Sequence, residues 1–286
     1  MIMIFAAMVL LYSLQSLFLK YYTMSRKGSG AMQFSIVYGA VAGACTLALN
    51  GFAYAPSAAT LTLGLGNAVI LLLYNLSMSR AGTLGSYAFM MICVLSGGIL
   101  VPMVYDVLCW GASFSAMQLA AVAIMLAAFI IMNLDGFREK KSGKYLIWCL
   151  ALFAANGAYG VLMNLQQRLT NYAQHTEMIV TSFLGMGLIT AAAALIKSPR
   201  MFLNDFRMSG KSLVFMLASA TCATLAVNLF MYSMQRVNLT VLNVVNNGGV
   251  LVVSAIFAFA LFRERPAPRT LAGMAMACIS IVILSL

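Results

Sequence analysis

Long apolar runs alternate with short polar segments along the whole chain, and this pattern predicts ten membrane-spanning helices. Each run is about twenty residues long, which is the length a helix needs to cross a bilayer. The most charged segment, DGFREKKSGK at 135–144, separates the fifth run from the sixth. The predicted spans are 1–19, 31–50, 57–78, 83–105, 115–134, 145–166, 178–196, 212–234, 238–261 and 266–286. We therefore expect an all-α integral membrane protein without a separate soluble domain.

Composition supports an integral membrane protein and argues against a nucleic-acid-binding or metal-binding protein. Hydrophobic residues make up 63% of the chain and charged residues 8%, with a mean hydropathy of +0.96, whereas soluble proteins carry about a quarter charged residues. The net charge of +11 comes from short basic clusters between apolar runs, which is typical of juxtamembrane charges and not of a nucleic-acid surface. The six cysteines are scattered and there is one histidine, so we expect no disulfide, metal site or cofactor.

Polar residues follow one face of the ninth predicted helix. Thr240, Asn243, Asn247 and Ser254 are separated by three, four and seven residues, so on a helix they form a single stripe. A carboxamide cannot reach bulk water from the hydrocarbon, so the stripe must face other helices or a water-filled cavity. Taken alone, it is equally compatible with packing between helices and with a substrate site.

Other predicted helices also carry polar side chains at helical spacing, whereas the fifth and tenth carry almost none. This division predicts that helices one to four and six to nine surround a central cavity lined by carboxamides, hydroxyls and tyrosines. The predicted substrate-binding residues are Gln15, Tyr74, Asn75, Ser86, Tyr87, Asn156, Tyr159, Asn228, Tyr232, Gln235, Asn243, Asn246 and Asn247.

The acidic residues restrict the substrate and the energy source. The chain has six, and none falls in the middle of a predicted span. A neutral or zwitterionic metabolite is therefore favoured over an organic cation, because no buried carboxylate would offset the desolvation of a cation. Cation–π contact with tyrosine keeps an organic cation as an alternative. His175, Glu177 and Asp106 are the candidates for proton coupling, although a histidine in a loop often has no role and Asp106 also suits a structural contact.

The chain reads as two related halves, 1–134 and 145–286, joined by a cytoplasmic linker at 135–144. The third and eighth spans end alike, as LLLYNLSMSR and VNLFMYSMQR. Because each half holds five spans, the second copy would be inverted in the membrane, an arrangement found in transporters that work by alternating access.

Basic residues predict the orientation. Fifteen lysines and arginines follow the odd-numbered spans, whereas only Arg168 and Arg236 lie on the other side. By the positive-inside rule the fifteen face the cytoplasm, so both termini lie on the extracytoplasmic side. We expect the membrane to be a bacterial cytoplasmic membrane.

These features resemble the drug/metabolite transporter superfamily, and within it the EamA-like proteins with ten spans. The junction before the last span of each family repeat reads roughly L-F-G-E followed by glycine nine residues later. Leu261, Phe262, Glu264 and Gly273 match it, with Arg263 in place of glycine; in the first half Gly111 matches, but Ala112 replaces the glutamate. The resemblance covers the whole chain and implies export or exchange of small metabolites, commonly amino acids. Related small multidrug exporters carry a glutamate in the first span, where this chain has Gln15 and no acid.

Other classes fit the sequence less well. A membrane enzyme would need a Ser/His pair, two aspartates within spans or a histidine-rich metal set, and the pattern offers none of these, so we expect no enzymatic activity. A multidrug or organic-cation exporter, a non-transporting scaffold or binding protein, and a channel remain as alternatives. The expected partners are a small-molecule substrate and membrane lipid, with no nucleic acid. A monomer and a dimer are both compatible with the sequence.

Overall fold

The structure is a computed structural model that describes residues 2–25, 31–85, 87–132, 134, 142–197, 208–262 and 267–285. Within these residues the chain forms ten α-helices and no strand. The helices are α1 (Ile2–Ser25), α2 (Ala31–Leu49), α3 (Ala58–Leu84), α4 (Tyr87–Trp110), α5 (Ala116–Met132), α6 (Gly143–Leu169), α7 (His175–Lys197), α8 (Gly210–Ser233), α9 (Leu239–Phe262) and α10 (Pro268–Ser285).

Each of the ten predicted spans corresponds to one helix. Seven helices of the described chain are long and apolar enough to cross a membrane, namely α1 to α4 and α6 to α8. The remaining three contain shorter apolar stretches, at Ala116–Met132, Leu239–Ser254 and Pro268–Leu284. The all-helical membrane class is confirmed, whereas ten crossings and the inverted repeat stay predictions.

The fourth helix is longer than the hydropathy pattern suggests. The predicted span ends at Tyr105, but α4 continues to Trp110, so Asp106 lies inside the helix and is buried. Its Oδ2 atom accepts a hydrogen bond of 3.0 Å from the Thr240 hydroxyl. Because Thr240 on α9 donates to the buried Asp106 carboxyl group, the apolar helix α4 can continue past it. A hydropathy pattern does not reveal such a partner.

Contacts among the helices divide the chain into two compact units, and each unit takes helices from both halves of the sequence. Unit 1 consists of Met1–Asn75 and Leu162–Gln235, and unit 2 of Leu76–Val161 and Arg236–Leu286. The division passes through α3 and α6, so each of these long helices contributes one part to each unit.

In unit 1, α1 packs along α8 and α2 packs along α7. The Tyr21 and Phe215 rings stack with centroids 5.2 Å apart, and the Ser219 hydroxyl donates to the carbonyl of Gln15 at 2.9 Å. Between α2 and α7 the backbones come close at Gly39 and Gly187, where a Cβ atom on Gly39 would lie 2.9 Å from the Gly187 Cα. Small residues at such crossings allow tight packing without the hydrophobic effect that drives packing in water.

In unit 2, the apolar core lies among α4, α5, α9 and α10. Its buried members are Ile99, Val122, Met125, Ala128, Phe129, Val244 and Ala277. The Ser280 hydroxyl on α10 donates to the Ala121 carbonyl on α5 at 2.7 Å, which adds a polar tie to this apolar contact. The core places the polar side of α9 away from α5 and α10 and towards α4 and α6.

Candidate functional site

The polar stripe of α9 faces α4 within unit 2. At one end, Thr240 bonds to Asp106; further along, the Asn247 side chain lies beside Gly98. Residue numbers rise along α9 while they fall along α4, so the two helices run antiparallel at this contact. The sequence pattern predicted that the stripe faces other helices or a cavity, and the structure shows that it faces α4.

Two carboxamides from different helices meet at Gly98. A Cβ atom on Gly98 would lie 2.6 Å from the Asn156 Nδ2 atom of α6 and 3.1 Å from the Asn247 Nδ2 atom of α9. The Asn156 amide donates to the backbone carbonyl of Val94 at 2.8 Å. We call Gly98, Asn156 and Asn247 the carboxamide cluster. A side chain at Gly98 would displace the Asn156 amide, so glycine lets both amides lie against the α4 backbone.

Asn243 lies on the same stripe as the cluster. Its amide donates to the carbonyl of Leu239 one turn earlier at 3.0 Å, so this carboxamide is partly satisfied by its own helix. A Cβ on Gly160 of α6 would lie 3.8 Å from the Asn243 Nδ2 atom, which leaves ordinary contact distance between α6 and α9. Asn243 therefore extends the cluster along the α6 side.

Several polar atoms of α9 are buried without a hydrogen-bond partner in the part of the chain that the structure describes. They are Asn246 Oδ1, Asn247 Nδ2 and Ser254 Oγ. A buried amide or hydroxyl without a partner costs about 1–3 kcal/mol. The polar face of α9 thus keeps hydrogen-bonding capacity that the described residues do not use.

The predicted binding residues of unit 1 are more fully engaged with protein groups. The Asn75 amide donates to the Ser35 hydroxyl at 3.0 Å, and the Asn228 amide donates to the Thr46 hydroxyl at 2.9 Å and to the Thr224 carbonyl at 2.9 Å. These bonds give both carboxamides a role in holding α2 against α3 and α8. The remaining predicted residues of this unit are half-buried, namely Gln15, Tyr74, Tyr232 and Gln235.

Glutamines join the ends of α3 and α6 to the connection before α7, also in unit 1. The Gln166 amide donates to the Thr60 hydroxyl at 2.9 Å and to the Gln174 carbonyl at 3.1 Å. The Gln174 side-chain oxygen accepts from the Ser57 backbone amide at 3.0 Å and from the Thr60 hydroxyl. Sequence reasoning missed this network, because its members lie at the ends of separate helices and follow no periodic pattern.

The three coupling candidates fall in different units. His175 and Glu177 begin α7 in unit 1 and are half-buried, while Asp106 is buried in unit 2. The carbonyl of Glu177 accepts from the Thr181 hydroxyl, which also bonds to the Tyr54 hydroxyl at 2.9 Å. Tyr159 lies half-buried in the unit 2 part of α6.

Some predictions fall outside the described residues. Ser86 and the Tyr87 side chain do so, as do the side chains of Leu261 and Phe262 and the whole of residues 263–266 with Glu264. Gly273 of the same motif is described: a Cβ there would lie 3.0 Å from the Ala128 carbonyl, where α10 crosses α5. Most of the predicted linker, 135–141, is likewise not described.

Comparison with known proteins relates the second half of the chain to a transporter family. Residues 146–286 match the model of the EamA-like transporter family. A solved crystal structure of a protein superimposes with a TM-score of 0.76 at 15% sequence identity, covering 98% of this chain and 94% of the other. At that identity the likeness shows the fold alone. No curated protein matches the chain in sequence.

Proposed function

Residues 146–286 match the EamA-like transporter family, and we propose that the chain is a member of this family and of the drug/metabolite transporter superfamily, and that it moves a small neutral or zwitterionic metabolite across the membrane. The carboxamide cluster of unit 2 would be the core of its substrate site. An amino acid is the simplest substrate of this class. The expected partners are that substrate and the surrounding lipid.

One observation carries the proposal: the Asn247 amide is buried beside Gly98 and makes no hydrogen bond to any described residue. In hydrocarbon such a group is costly, and transporters concentrate polar residues of this kind where substrate passes. If Asn247 served only to pack helices together, its amide would donate to a partner on the neighbouring helix, as the Asn75 amide does to Ser35.

The chemical character of the cluster supports a neutral or zwitterionic substrate. Asparagine side chains offer both donors and acceptors without net charge, so they can bind both ends of a zwitterion. The nearest acid on α4 is Asp106, about 12 Å along the helix from Gly98. A cation bound at the cluster would therefore have no adjacent carboxylate to compensate its lost hydration.

We infer that transport follows alternating access between two inverted halves, 1–134 and 145–286, with the second half as the part that matches the family. Exchange or facilitated transport is the expected mode, because the described residues of the cluster include no acid or histidine. Any proton coupling would depend on His175, Glu177 or Asp106.

Transport can be tested in proteoliposomes loaded with single L-amino acids. We expect counterflow of one or more neutral amino acids to persist when the pH gradient is collapsed, since no titrating group lies in the cluster. Any proton-driven accumulation should disappear in His175→Ala or Glu177→Gln. The measurement is uptake of labelled amino acid with and without a proton ionophore.

Two results would contradict this reading. Accumulation that needs the pH gradient and survives both substitutions would move the coupling group to Asp106, with Asp106→Asn as the next variant. Absence of counterflow for every amino acid, in protein that is folded and reconstituted, would reject the substrate class.

Orientation is tested by labelling single cysteines in a functional variant without native cysteines. Position 142 lies within the charged segment 135–144 and should face the cytoplasm, whereas position 173 should face outward; both are exposed. We choose Ala173 and not its neighbour Gln174, because the Gln174 side chain accepts a hydrogen bond from the Ser57 backbone amide. An impermeant thiol reagent added to intact cells should label Ala173→Cys and spare Ser142→Cys. The reverse pattern would invert the topology.

A further inference from the structure

Pro102 lies inside α4 and is buried. Proline has no backbone N–H, so it cannot donate the helical hydrogen bond to the carbonyl oxygen four residues earlier. That oxygen belongs to Gly98, the glycine at the centre of the carboxamide cluster. In a membrane helix a carbonyl released in this way needs another donor from a side chain, water or ligand.

The neighbouring amides do not fill this need in the described structure. The Asn156 amide donates to Val94, one turn before Gly98. The Asn247 Nδ2 atom is close to Gly98 but has no hydrogen-bond partner among the described residues. A side-chain donor without an acceptor therefore lies close to the residue whose backbone carbonyl has lost its helical donor.

We propose that the Gly98 carbonyl, kept free by Pro102, accepts a hydrogen bond from the ammonium group of the transported amino acid, while the Asn247 amide binds its carboxylate. This inference rests on the proposed function and assigns each end of the substrate to a protein group. An ammonium group has three donors and no acceptor, so a carbonyl oxygen suits it, whereas an amide N–H suits a carboxylate.

The absence of a side chain at Gly98 is part of the same arrangement. A methyl group at this position would lie 2.6 Å from the Asn156 Nδ2 atom and 3.1 Å from the Asn247 Nδ2 atom. Gly98 and Pro102 thus act together: the glycine lets the two amides lie close to the backbone, and the proline removes the internal donor. Pro102 is a positioning residue, since it acts through the Gly98 carbonyl.

The test restores the missing donor. Pro102→Ala supplies an N–H that bonds to the Gly98 carbonyl and removes it from the site. With the best wild-type substrate from the L-amino-acid panel, we expect the apparent KM for counterflow to rise about tenfold, the loss of one hydrogen bond to a charged group. The maximal rate should be retained, and thermal stability should stay equal or rise because a helix hydrogen bond is gained.

A second variant separates the carbonyl from the shape of the proline ring. Lactic acid incorporated at position 102 puts an ester in place of the amide, so it has neither ring nor N–H and leaves the Gly98 carbonyl free. It should keep the wild-type KM. Val104→Ala, on an exposed side of the same helix, is the matched control and should also behave as wild type.

Three outcomes would overturn the inference. A wild-type KM in Pro102→Ala, with wild-type transport intact, would reject the carbonyl role alone and leave the proposed function standing. An equal rise in KM for the alanine and lactic acid variants would assign the effect to helix shape. Failure of wild-type protein to transport any amino acid in the panel would reject both the proposed function and the ammonium assignment.

Discussion

Asn247→Leu should lower counterflow of the amino-acid substrate by about 100-fold, the expected cost of losing two hydrogen bonds to a charged group in the membrane interior. Leucine keeps nearly the same volume and removes both the amide donor and the carbonyl acceptor. The folded protein should survive, because the Asn247 Nδ2 atom is buried without a hydrogen-bond partner among the described residues, so its removal breaks no bond there. Flux in proteoliposomes and monodispersity in mild detergent are the two measurements.

Asn75→Leu is the matched control for this substitution. It makes the same chemical change in a membrane helix, but the Asn75 amide is bonded to Ser35 and to the Met186 sulfur. We therefore expect Asn75→Leu to act mainly on stability, with a lower melting temperature and a smaller loss of flux per folded molecule. Comparing flux per folded molecule and melting temperature between Asn247→Leu and Asn75→Leu therefore distinguishes a substrate-binding asparagine from one that packs helices together.

The result that would contradict the site is also clear. Loss of folded protein in Asn247→Leu, with normal flux from the fraction that folds, would support packing between helices as the role of the α9 stripe. Unchanged flux and stability together would exclude Asn247 from any polar site.

The approximate positions of the helices could be predicted from the sequence, because a backbone inside lipid must satisfy its own hydrogen bonds. An apolar run of about twenty residues has few options besides a spanning helix. At the end of α4 a contact between helices overrides hydropathy: Asp106 bonds to Thr240 and the helix continues to Trp110. Such contacts join residues far apart in the chain, so no pattern within one segment reveals them.

The candidate site was only partly predictable. The spacing of Thr240, Asn243 and Asn247 defines a face of α9, but it does not say which helix meets that face. Gly98 became informative only when the neighbouring amides were placed beside it. Pro102 was visible in the fourth apolar run and is the signal that sequence reasoning should have used, since a proline in a helix frees a carbonyl at a known position.

The same reasoning explains why some predicted residues have packing contacts in the structure. Asn75 and Asn228 lie in polar patterns like that of Asn247, yet they bond to Ser35 and Thr46 on α2. A carboxamide in a membrane helix must find a partner, and only the neighbouring helix decides whether that partner is protein or a passing ligand. Periodicity therefore identifies polar faces better than it identifies binding residues.

Gly97→Ala should be the most destabilising single methyl addition in unit 2. A Cβ on Gly97 would fall within 3.0 Å of the carbonyl oxygen, carbonyl carbon and Cα of Phe153 on α6. These are backbone atoms that cannot rotate away, so α4 and α6 must separate. Overpacking of this kind costs about 1–3 kcal/mol.

The crossing is tight from the other helix as well, since a Cβ on Gly157 would lie 2.7 Å from the Gly97 carbonyl oxygen. Gly97 faces the backbone of Phe153 and Gly157 faces the backbone of Gly97, so the added methyl meets main-chain atoms that cannot rotate away. Relieving the overlap therefore requires α4 and α6 to move apart. That movement would also separate Gly98 on α4 from Asn156 on α6. Flux per folded molecule should fall together with stability.

Gly82→Ala provides the control, because Gly82 lies within α3 of the same unit and a Cβ there would meet nothing within 4 Å. That substitution should be neutral or raise stability by up to about 1 kcal/mol, the difference in helix propensity between the two residues. The melting temperature in detergent should thus fall by about 5 °C for Gly97→Ala and stay equal or rise for Gly82→Ala. Equal melting temperatures would mean that α4 and α6 do not cross at Gly97, and the position of Asn156 beside Gly98 would then lose its structural basis.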